Sequence, residues 1–222
     1  MSCLLECCCD GLEAAREAWA GGADRIELCR ELDTGGLTPF REVIAEAVRE
    51  AEGRPVNVLV RPREGDFVYS GEEIRRMIED IAFCREAGAN AVVVGALTAS
   101  GQIDMDAMGR LLEAAAGMHV TFHRAFDECS DPSACLEDII SLGCDRLLSS
   151  GHEKDAFVGR MRLADMVRQA EGRITVMPGC GINPGNILEI KTVSGAVEFH
   201  SSSKGESGRT DRETVKKLKE AI

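Results

Sequence analysis

The strongest constraint on the fold is a regular alternation of short apolar runs with longer amphipathic segments along the whole chain. The short runs are rich in Val, Ile and Leu and have the length of strands; they lie at 3–9, 25–29, 56–62, 91–95, 120–125, 145–150, 173–179 and 196–202. The segments between them predict helices at about 11–20, 39–52, 71–87, 104–116, 132–143, 155–171, 184–192 and 211–221. Strands that alternate with helices in this way predict a parallel sheet.

Eight strand–helix units predict an α/β protein with a (β/α)8 TIM-barrel fold, built as a single domain over residues 1–222. Asp10, Thr38-Pro39, Ser70 and Asp104 stand at the starts of helical segments and are predicted to cap them. A doubly wound open sheet is the competing architecture, but no GxGxxG turn follows the first strand. The chain contains no linker or low-complexity tract that would divide it.

The charge and the cysteines limit the functional classes. The chain has 26 basic and 38 acidic residues and a formal net charge of -12, which repels phosphate backbones, so we expect no nucleic-acid partner. No apolar run approaches the length of a membrane span, and no basic region followed by a long apolar stretch opens the sequence. We therefore expect a cytoplasmic protein without a membrane partner. The ten cysteines form no CxxC pair and are expected to be reduced thiols.

Side-chain alternation predicts which strand residues face the barrel interior. Successive strand residues point in opposite directions, and the face beneath the helices should be apolar. In the third strand, three valines therefore face the helices, whereas Asn57, Leu59 and Arg61 point inward. In the first strand, Cys7 and Cys9 are expected to be packing residues beneath the helices. The same rule turns the following side chains inward: Glu6, Cys8, Glu27, Cys29, Thr121, His123, Glu198 and His200.

Three of these inward residues, Glu6, Glu27 and Glu198, lie on strands that are neighbours in a closed barrel. Their carboxylates cannot all stay charged without cations or hydrogen bonds. The available partners are Arg61, His123, Arg124 and His200. One interpretation is an internal salt-bridge network that only orders the barrel. We favour a catalytic or metal-binding pocket, because a buried ionic network alone gives weak support to stability and active sites of this fold lie at the carboxyl ends of the strands.

Several longer motifs follow one another along essentially the whole chain: "GGADRIELC" (21–29), "GGLTP" (35–39), "RPREGDFVYS" (61–70), "VTFHRAFDE" (120–128), "VMPGCGI" (176–182) and "EFHSS" (198–202). Together they resemble the CutC family, which is named for copper homeostasis. The resemblance implies a TIM barrel, a cytoplasmic location and a homodimer or larger homo-oligomer. It also implies that the cysteine two residues after the first-strand glutamate and the cysteine that closes "RIELC" are copper ligands, here Cys8 and Cys29. Extra cysteines at 7, 9 and 180, and Val68 where a cysteine often stands, depart from the family pattern.

A Cu(I) site at Cys8 and Cys29 is the first functional hypothesis. Thiolates are soft ligands that select Cu(I). Adjacent strands lie about 4.8 Å apart, which is close to the span of two metal–sulfur bonds of about 2.3 Å, so a linear two-thiolate site would fit. Barrel shear would stagger the two sulfurs, and two small core residues without a ligand are the alternative interpretation.

An enzyme acting on a small anionic substrate is the second hypothesis. Loops after the seventh and eighth strands commonly hold phosphate in TIM barrels, so a phosphate, sulfate or carboxylate is expected at Gly179, Gly181, Ser201 and Ser202. Tight turns and helix capping are the alternative roles of these glycines and serines.

In such an enzyme, Arg61 and Arg124 would supply further positive charge. His123 or His200 would act as general acid or base, paired with Glu6, Glu27 or Glu198. This set suits an isomerase, epimerase or lyase that acts next to a carbonyl group. A regulatory or scaffold protein that kept the barrel and lost the chemistry is a third class, because the fold alone does not determine function.

Overall fold

The predicted alternation folds into eight strands, each followed by a helix, in a computed structural model that describes residues 3–222. The strands are β1 (Leu4–Asp10), β2 (Arg25–Cys29), β3 (Val56–Leu59), β4 (Ala91–Val94), β5 (His119–Phe122), β6 (Arg146–Ser149), β7 (Thr175–Pro178) and β8 (Glu198–Ser201). The helices are α1 (Gly11–Ala20), α2 (Arg41–Glu50), α3 (Gly71–Ala87), α4 (Met105–Ala114), α5 (Pro132–Ser141), α6 (Arg160–Ala170), α7 (Ile187–Ser194) and α8 (Arg212–Ala221). Short 3-10 helices at Leu32–Thr34 and Arg124–Glu128 lie in the loops after β2 and β5.

The strands form one parallel sheet in the order β7-β6-β5-β4-β3-β2-β1-β8. β7 and β8 lie side by side and complete the circle, but within residues 3–222 they share no regular ladder of hydrogen bonds. At this seam the hydroxyl of Ser201 donates to the carbonyl oxygen of Ile182 over 2.8 Å. The (β/α)8 barrel predicted from the sequence is confirmed.

Apolar side chains pack on both sides of the barrel wall. The main cluster, between the strands and the helices, includes Cys7, Cys9, Val56 and Val58. A small inner cluster consists of Cys8, Cys29, Leu59 and Val93. The directions derived from strand alternation are therefore confirmed for these residues other than Val93, for which none was predicted. All ten cysteines are free thiols.

Each helix buries one face against the wall. In α3 the buried residues Ile74, Met77, Ile81 and Cys84 recur at the three- and four-residue spacing of a single helix face. Within residues 3–222, no helix has both the length and the apolar character needed to cross a bilayer.

The predicted helix caps are confirmed at two of four positions, Ser70 and Asp104. The prediction for Thr38-Pro39 was wrong, because α2 begins at Arg41 and its N-cap residue, Phe40, forms no side-chain cap. Ser70 begins α3 with a capping box, in which its hydroxyl accepts from the Glu73 N–H and the Glu73 carboxylate accepts from the Ser70 N–H. Asp104 caps α4 through the N–H of Ala107. The prediction for Asp10 was wrong: its carboxylate accepts from the N–H groups of Glu31 and Leu32, so it ties the end of β1 to the loop after β2 instead.

We expect Ser70→Ala to lower the free energy of unfolding by about 1 kcal/mol, because the variant leaves the Glu73 N–H without its acceptor. For a chain of this length the melting temperature should fall by roughly 2–4 °C in thermal denaturation followed by circular dichroism. Ser70→Asp keeps an acceptor at the same position and should stay close to the wild type. Equal melting temperatures for Ser70→Ala and the wild type would contradict the role of the cap.

Candidate functional site

A cavity of about 640 Å³ opens at the carboxyl-terminal ends of the strands, where active sites of TIM barrels are found. Nine of the thirteen residues selected from the sequence line it: Cys8, Glu27, Arg61, His123, Arg124, Gly181, His200, Ser201 and Ser202. The structure does not bring the other four to the lining: Glu6, Cys29, Gly179 and Glu198.

Three buried side chains at the floor of this cavity form a group able to hold a metal ion. One ligand atom each of Cys8, Glu27 and His200 lies within 4.8 Å of the others. The group follows from strand register, because Cys8 is paired with Glu27 across β1 and β2, and β8 lies on the other side of β1. The Cys8 thiol also donates to Oε1 of Glu27 over 3.4 Å, whereas Oε2 of Glu27 is buried and has no partner among residues 3–222.

Glu6 positions the imidazole of His200 from beneath. Oε1 of Glu6 lies 2.8 Å from Nδ1 of His200, and Oε2 of Glu6 accepts from the side-chain amide of Asn57 over 2.9 Å and from Arg25. With Nδ1 engaged by a carboxylate, Nε2 is the ring nitrogen left to bind a ligand. A carboxylate behind a histidine in this way is the usual arrangement at metal-ligating histidines.

Cys29 lies next to this group but behind the cavity lining. Its sulfur is 3.7 Å from the sulfur of Cys8, and its thiol donates to the carbonyl oxygen of Cys9. Two metal–sulfur bonds of about 2.3 Å placed end to end would need a separation of about 4.6 Å. The observed sulfur positions are closer than the predicted linear arrangement requires and suit a bent one.

Burial and neighbouring charges determine the protonation of the floor. Hydrogen bonding to Cys29, with burial, raises the pKa of the Cys8 thiol well above its ordinary value. Burial and the charge of Glu6 raise the pKa of Glu27. Burial alone would lower the pKa of His200, but Glu27 and Glu6 outweigh it and raise that pKa. The raised pKa of Cys8 keeps its thiol protonated near neutral pH, so binding a cation through this sulfur would release a proton.

Glu6 and Glu198 belong to an ionic network beneath the cavity. Glu198, at the start of β8, accepts from Arg25 over 2.7 Å and from Arg146 over 2.8 Å. Arg25 also binds Glu6, and although burial raises the pKa of Glu6, Arg25 and His200 outweigh it and lower that pKa to about 2. For Glu6 and Glu198, the structure therefore agrees with the salt-bridge network that was one of the two interpretations of the sequence.

Neither arginine of this network was among the partners expected from the sequence. The expected partners were Arg61, His123, Arg124 and His200, of which His200 alone contacts Glu6. Arg25 shares the strand face of Glu27 and Cys29, so the alternation rule already pointed it inward. Arg146 begins β6 and lies two residues before Leu148, which lines the cavity, so alternation places Arg146 on the inward face as well.

Arg124 and the loop after β6 form part of the cavity rim. β5 ends at Phe122, earlier than predicted, and Arg124 lies in the following 3-10 helix with its side chain largely exposed and paired with Asp127 over 2.9 Å. The buried Asp127 carboxylate also accepts from the hydroxyl of Ser149 over 2.6 Å and from the N–H of Ser150 over 3.0 Å. Asp127 lies outside any strand, so alternation gave no signal for it.

Of the four predicted anion-binding positions, two keep free groups at the cavity. Gly181 and Ser202 line it. The hydroxyl of Ser201 is engaged in the β7–β8 seam, where it also accepts from the N–H of Ser203. The N–H of Gly179 donates to the carbonyl oxygen of Ser149 and is not available to an anion.

Comparison with known proteins places these features in a family. The sequence matches the CutC family over residues 3–205. It is 45% identical to a CutC family protein of Parabacteroides distasonis over 204 residues, covering 92% of this chain and 84% of the relative. It is 47% identical to a CutC family protein of Histophilus somni over 200 residues, covering 90% and 82% of the two chains.

A solved structure extends the comparison. CutC from Streptococcus agalactiae, described as a proposed copper homeostasis protein, superposes with a TM-score of 0.86 at 32% identity. The match covers 94% of this chain and 99% of that one.

We expect Arg25→Met to lower the free energy of unfolding by about 3–5 kcal/mol, because it leaves Glu6 and Glu198 without their shared cation in the barrel interior. Urea unfolding followed by the fluorescence of the single tryptophan, Trp19, measures this change. Arg16→Met removes an exposed ion pair with Glu50 and should cost no more than about 1 kcal/mol. Similar losses in the two variants would show that the buried network has no special role.

Proposed function

This chain belongs to the CutC family, and from that premise we propose that it binds Cu(I) at the floor of the barrel cavity and serves copper homeostasis in the cytoplasm. In this role copper is cargo and not the cofactor of a reaction. A reducing compartment suits ten free thiols. The homodimer or larger assembly implied by the resemblance stays a prediction.

The observation that carries the proposal is the position of the Cys8 sulfur. It lies at the cavity floor, 3.7 Å from the sulfur of Cys29 and within 4.8 Å of a ring nitrogen of His200. Two soft sulfurs and an imidazole suit Cu(I), whereas Cys8, Glu27 and His200 together form a mixed set that also suits a divalent ion such as Zn²⁺. Cys8 belongs to both sets, so the choice between metals rests on Cys29 and Glu27.

Copper affinity should therefore depend on the two cysteines. We expect Cys8→Ala and Cys29→Ala each to weaken Cu(I) binding by about 100-fold or more, since loss of a partner that merely supports a ligand already costs 10–100-fold. Glu27→Gln should cost less than about 10-fold if sulfur ligation dominates. The measurement is anaerobic competition with a coloured Cu(I) chelator.

Cys180→Ala provides the matched control, because Cys180 contributes a thiol to the same cavity away from the floor group. It should leave the affinity unchanged. Unaltered Cu(I) affinity in a Cys8→Ala, Cys29→Ala double variant would end the copper proposal. A larger loss of affinity in Glu27→Gln than in Cys29→Ala would instead indicate a divalent-ion site formed by Cys8, Glu27 and His200.

A second function, that of an isomerase, epimerase or lyase on a small phosphorylated or carboxylated substrate, is favoured by the cavity itself. A volume of about 640 Å³ falls in the range of small-molecule sites and far exceeds that of one metal ion. At its floor, Glu27 has one buried oxygen without a partner within residues 3–222, and burial with the charge of Glu6 raises its pKa, which favours a carboxyl group that can donate a proton.

Proton transfer at a carbon next to a carbonyl group would reveal this activity. Incubated in D₂O with sugar phosphates and 2-oxo acids, the wild type should introduce deuterium into one class of compound, as seen by proton NMR. Glu27→Gln should abolish the exchange, whereas Arg75→Gln, an exposed substitution on α3, should leave it intact. Exchange no faster than in buffer across both classes, or undiminished exchange in Glu27→Gln, would refute it.

A further inference from the structure

Arg61 is a buried cation without an acidic partner. Its side chain follows β3, and the residue is 6% exposed. Its terminal nitrogens donate to the carbonyl oxygens of Gly36 over 3.1 Å and Gly65 over 2.8 Å, and its guanidinium lies over the ring of Phe67 at 4.9 Å. These contacts fix the group but bring no negative charge, and no carboxylate within residues 3–222 forms an ion pair with it. A buried charge without a counter-charge is costly.

His123 presents a fixed, neutral donor in the same cavity. Its Nδ1 accepts from the N–H of Ala125 over 3.2 Å, so in the neutral ring the proton lies on Nε2. That nitrogen is buried and has no hydrogen-bond partner in the described part of the chain. Burial and the positive charge of Arg61 lower the pKa of His123 to about 3, which keeps the ring neutral.

The surroundings hold the His123 ring in one position. The ring packs on Phe67 with centroids 5.0 Å apart, the same aromatic ring that carries Arg61. On another side it lies against Gly95, where an added Cβ would come within 2.6 Å of Nδ1. These contacts restrict rotation of the ring of His123, a residue that lines the cavity and whose buried Nε2 has no partner within residues 3–222.

We propose that Arg61 and His123 form an oxyanion-binding subsite of the cavity, which holds a carboxylate or phosphate group of a small molecule. Both residues line the cavity, both pack on Phe67, and the Nε of Arg61 is a second buried donor without a partner. A bound oxyanion would supply the missing counter-charge and accept from both donors. Cu(I) binding does not require an anion-binding subsite, so this inference goes beyond the copper proposal. It rests on the second proposed function only in naming which group of the substrate would be bound.

Generic attraction does not account for anion binding at this position. The chain has a formal net charge of -12, and the other cationic side chains of the lining, Arg124 and Lys204, are paired with Asp127 and Asp33. Specificity for an anion therefore rests on Arg61 and His123.

Anion titrations of the metal-free protein test the subsite. Inorganic phosphate and malonate are the two probes, and binding is followed by calorimetry and by the ¹⁵N and ¹H NMR shifts of the His123 ring. We expect one probe to bind saturably and to shift the His123 Nε2 resonance. Arg61→Gln and His123→Phe should each weaken binding by about 10-fold or more, because each removes a hydrogen bond to a charged group. Arg75→Gln, which makes the same charge change on the outer surface, should bind like the wild type.

The two probes separate the sources of the oxyanion, because preference for phosphate indicates phosphorylated ligands and preference for malonate indicates organic acids. Arg61→Gln loses contacts to two loops, so its fold is checked by circular dichroism. If Arg61→Gln does not fold, the test rests on His123→Phe, which keeps an aromatic ring packed on Phe67. Saturating anion that leaves the His123 Nε2 resonance of the wild type unmoved would overturn the proposal. So would undiminished binding in His123→Phe. Copper plays no part in these titrations, so a failure of the copper proposal leaves their outcome unaffected.

Discussion

Neutralisation of carboxylates inside a closed barrel is the constraint on which the rest of the interior depends. Glu6 is completely buried, and its charge is tolerated because Arg25, Asn57 and His200 all donate to it. This single carboxylate therefore connects the ionic network below to the ligand group above. By holding His200 it also fixes the imidazole that faces the cavity, so a stabilising interaction and a functional orientation come from the same atoms.

The interior is consequently divided into two levels along the strands. At the amino-terminal level, Arg25 and Arg146 neutralise Glu198. At the carboxyl-terminal level, two residues further along each strand, Cys8, Glu27 and His200 line the cavity, and Oε2 of Glu27 has no partner within residues 3–222. Strand alternation also separates the three consecutive cysteines of β1: Cys8 lies inside the barrel, and Cys7 and Cys9 lie beneath the helices.

Properties that repeat along the strands were predictable from the sequence. The number of units gave the barrel, and alternation gave the directions of Cys8, Glu27, Leu59 and Cys29. The ion-pair partners were not predictable, because pairing depends on how far each strand is shifted against its neighbour. Alternation pointed Arg25 inward, but nothing in the sequence ranked it above Arg61 as the partner of Glu6. The separation of the two sulfurs depends on the same shift.

Residues outside the strands were the least predictable. Asp127 and Phe67 take their roles from segments between the strands, where side-chain alternation does not operate. Gly179 and Ser201 are engaged by hydrogen bonds between strand ends and loops: the Gly179 N–H donates to Ser149 at the end of β6, and Ser201 at the end of β8 donates to Ile182. For these positions residue type suggested a chemistry, but contacts distant in sequence determined whether the group stayed free. Alternation made the inward directions of Cys8, Glu27 and His200 predictable, whereas their grouping without Cys29 was not, and two of the four expected anion-binding positions were already engaged.

The seam between β7 and β8 affects how the barrel can accommodate a ligand. Everywhere else around the wall, widening would break backbone ladders, but here the edges are joined by side chains and loops. Local separation at this line should therefore cost the least free energy. Since Gly181 lies beside one edge and His200 beside the other, separation along this line would widen the mouth of the cavity while leaving the hydrogen-bonded ladders between the other strands in place.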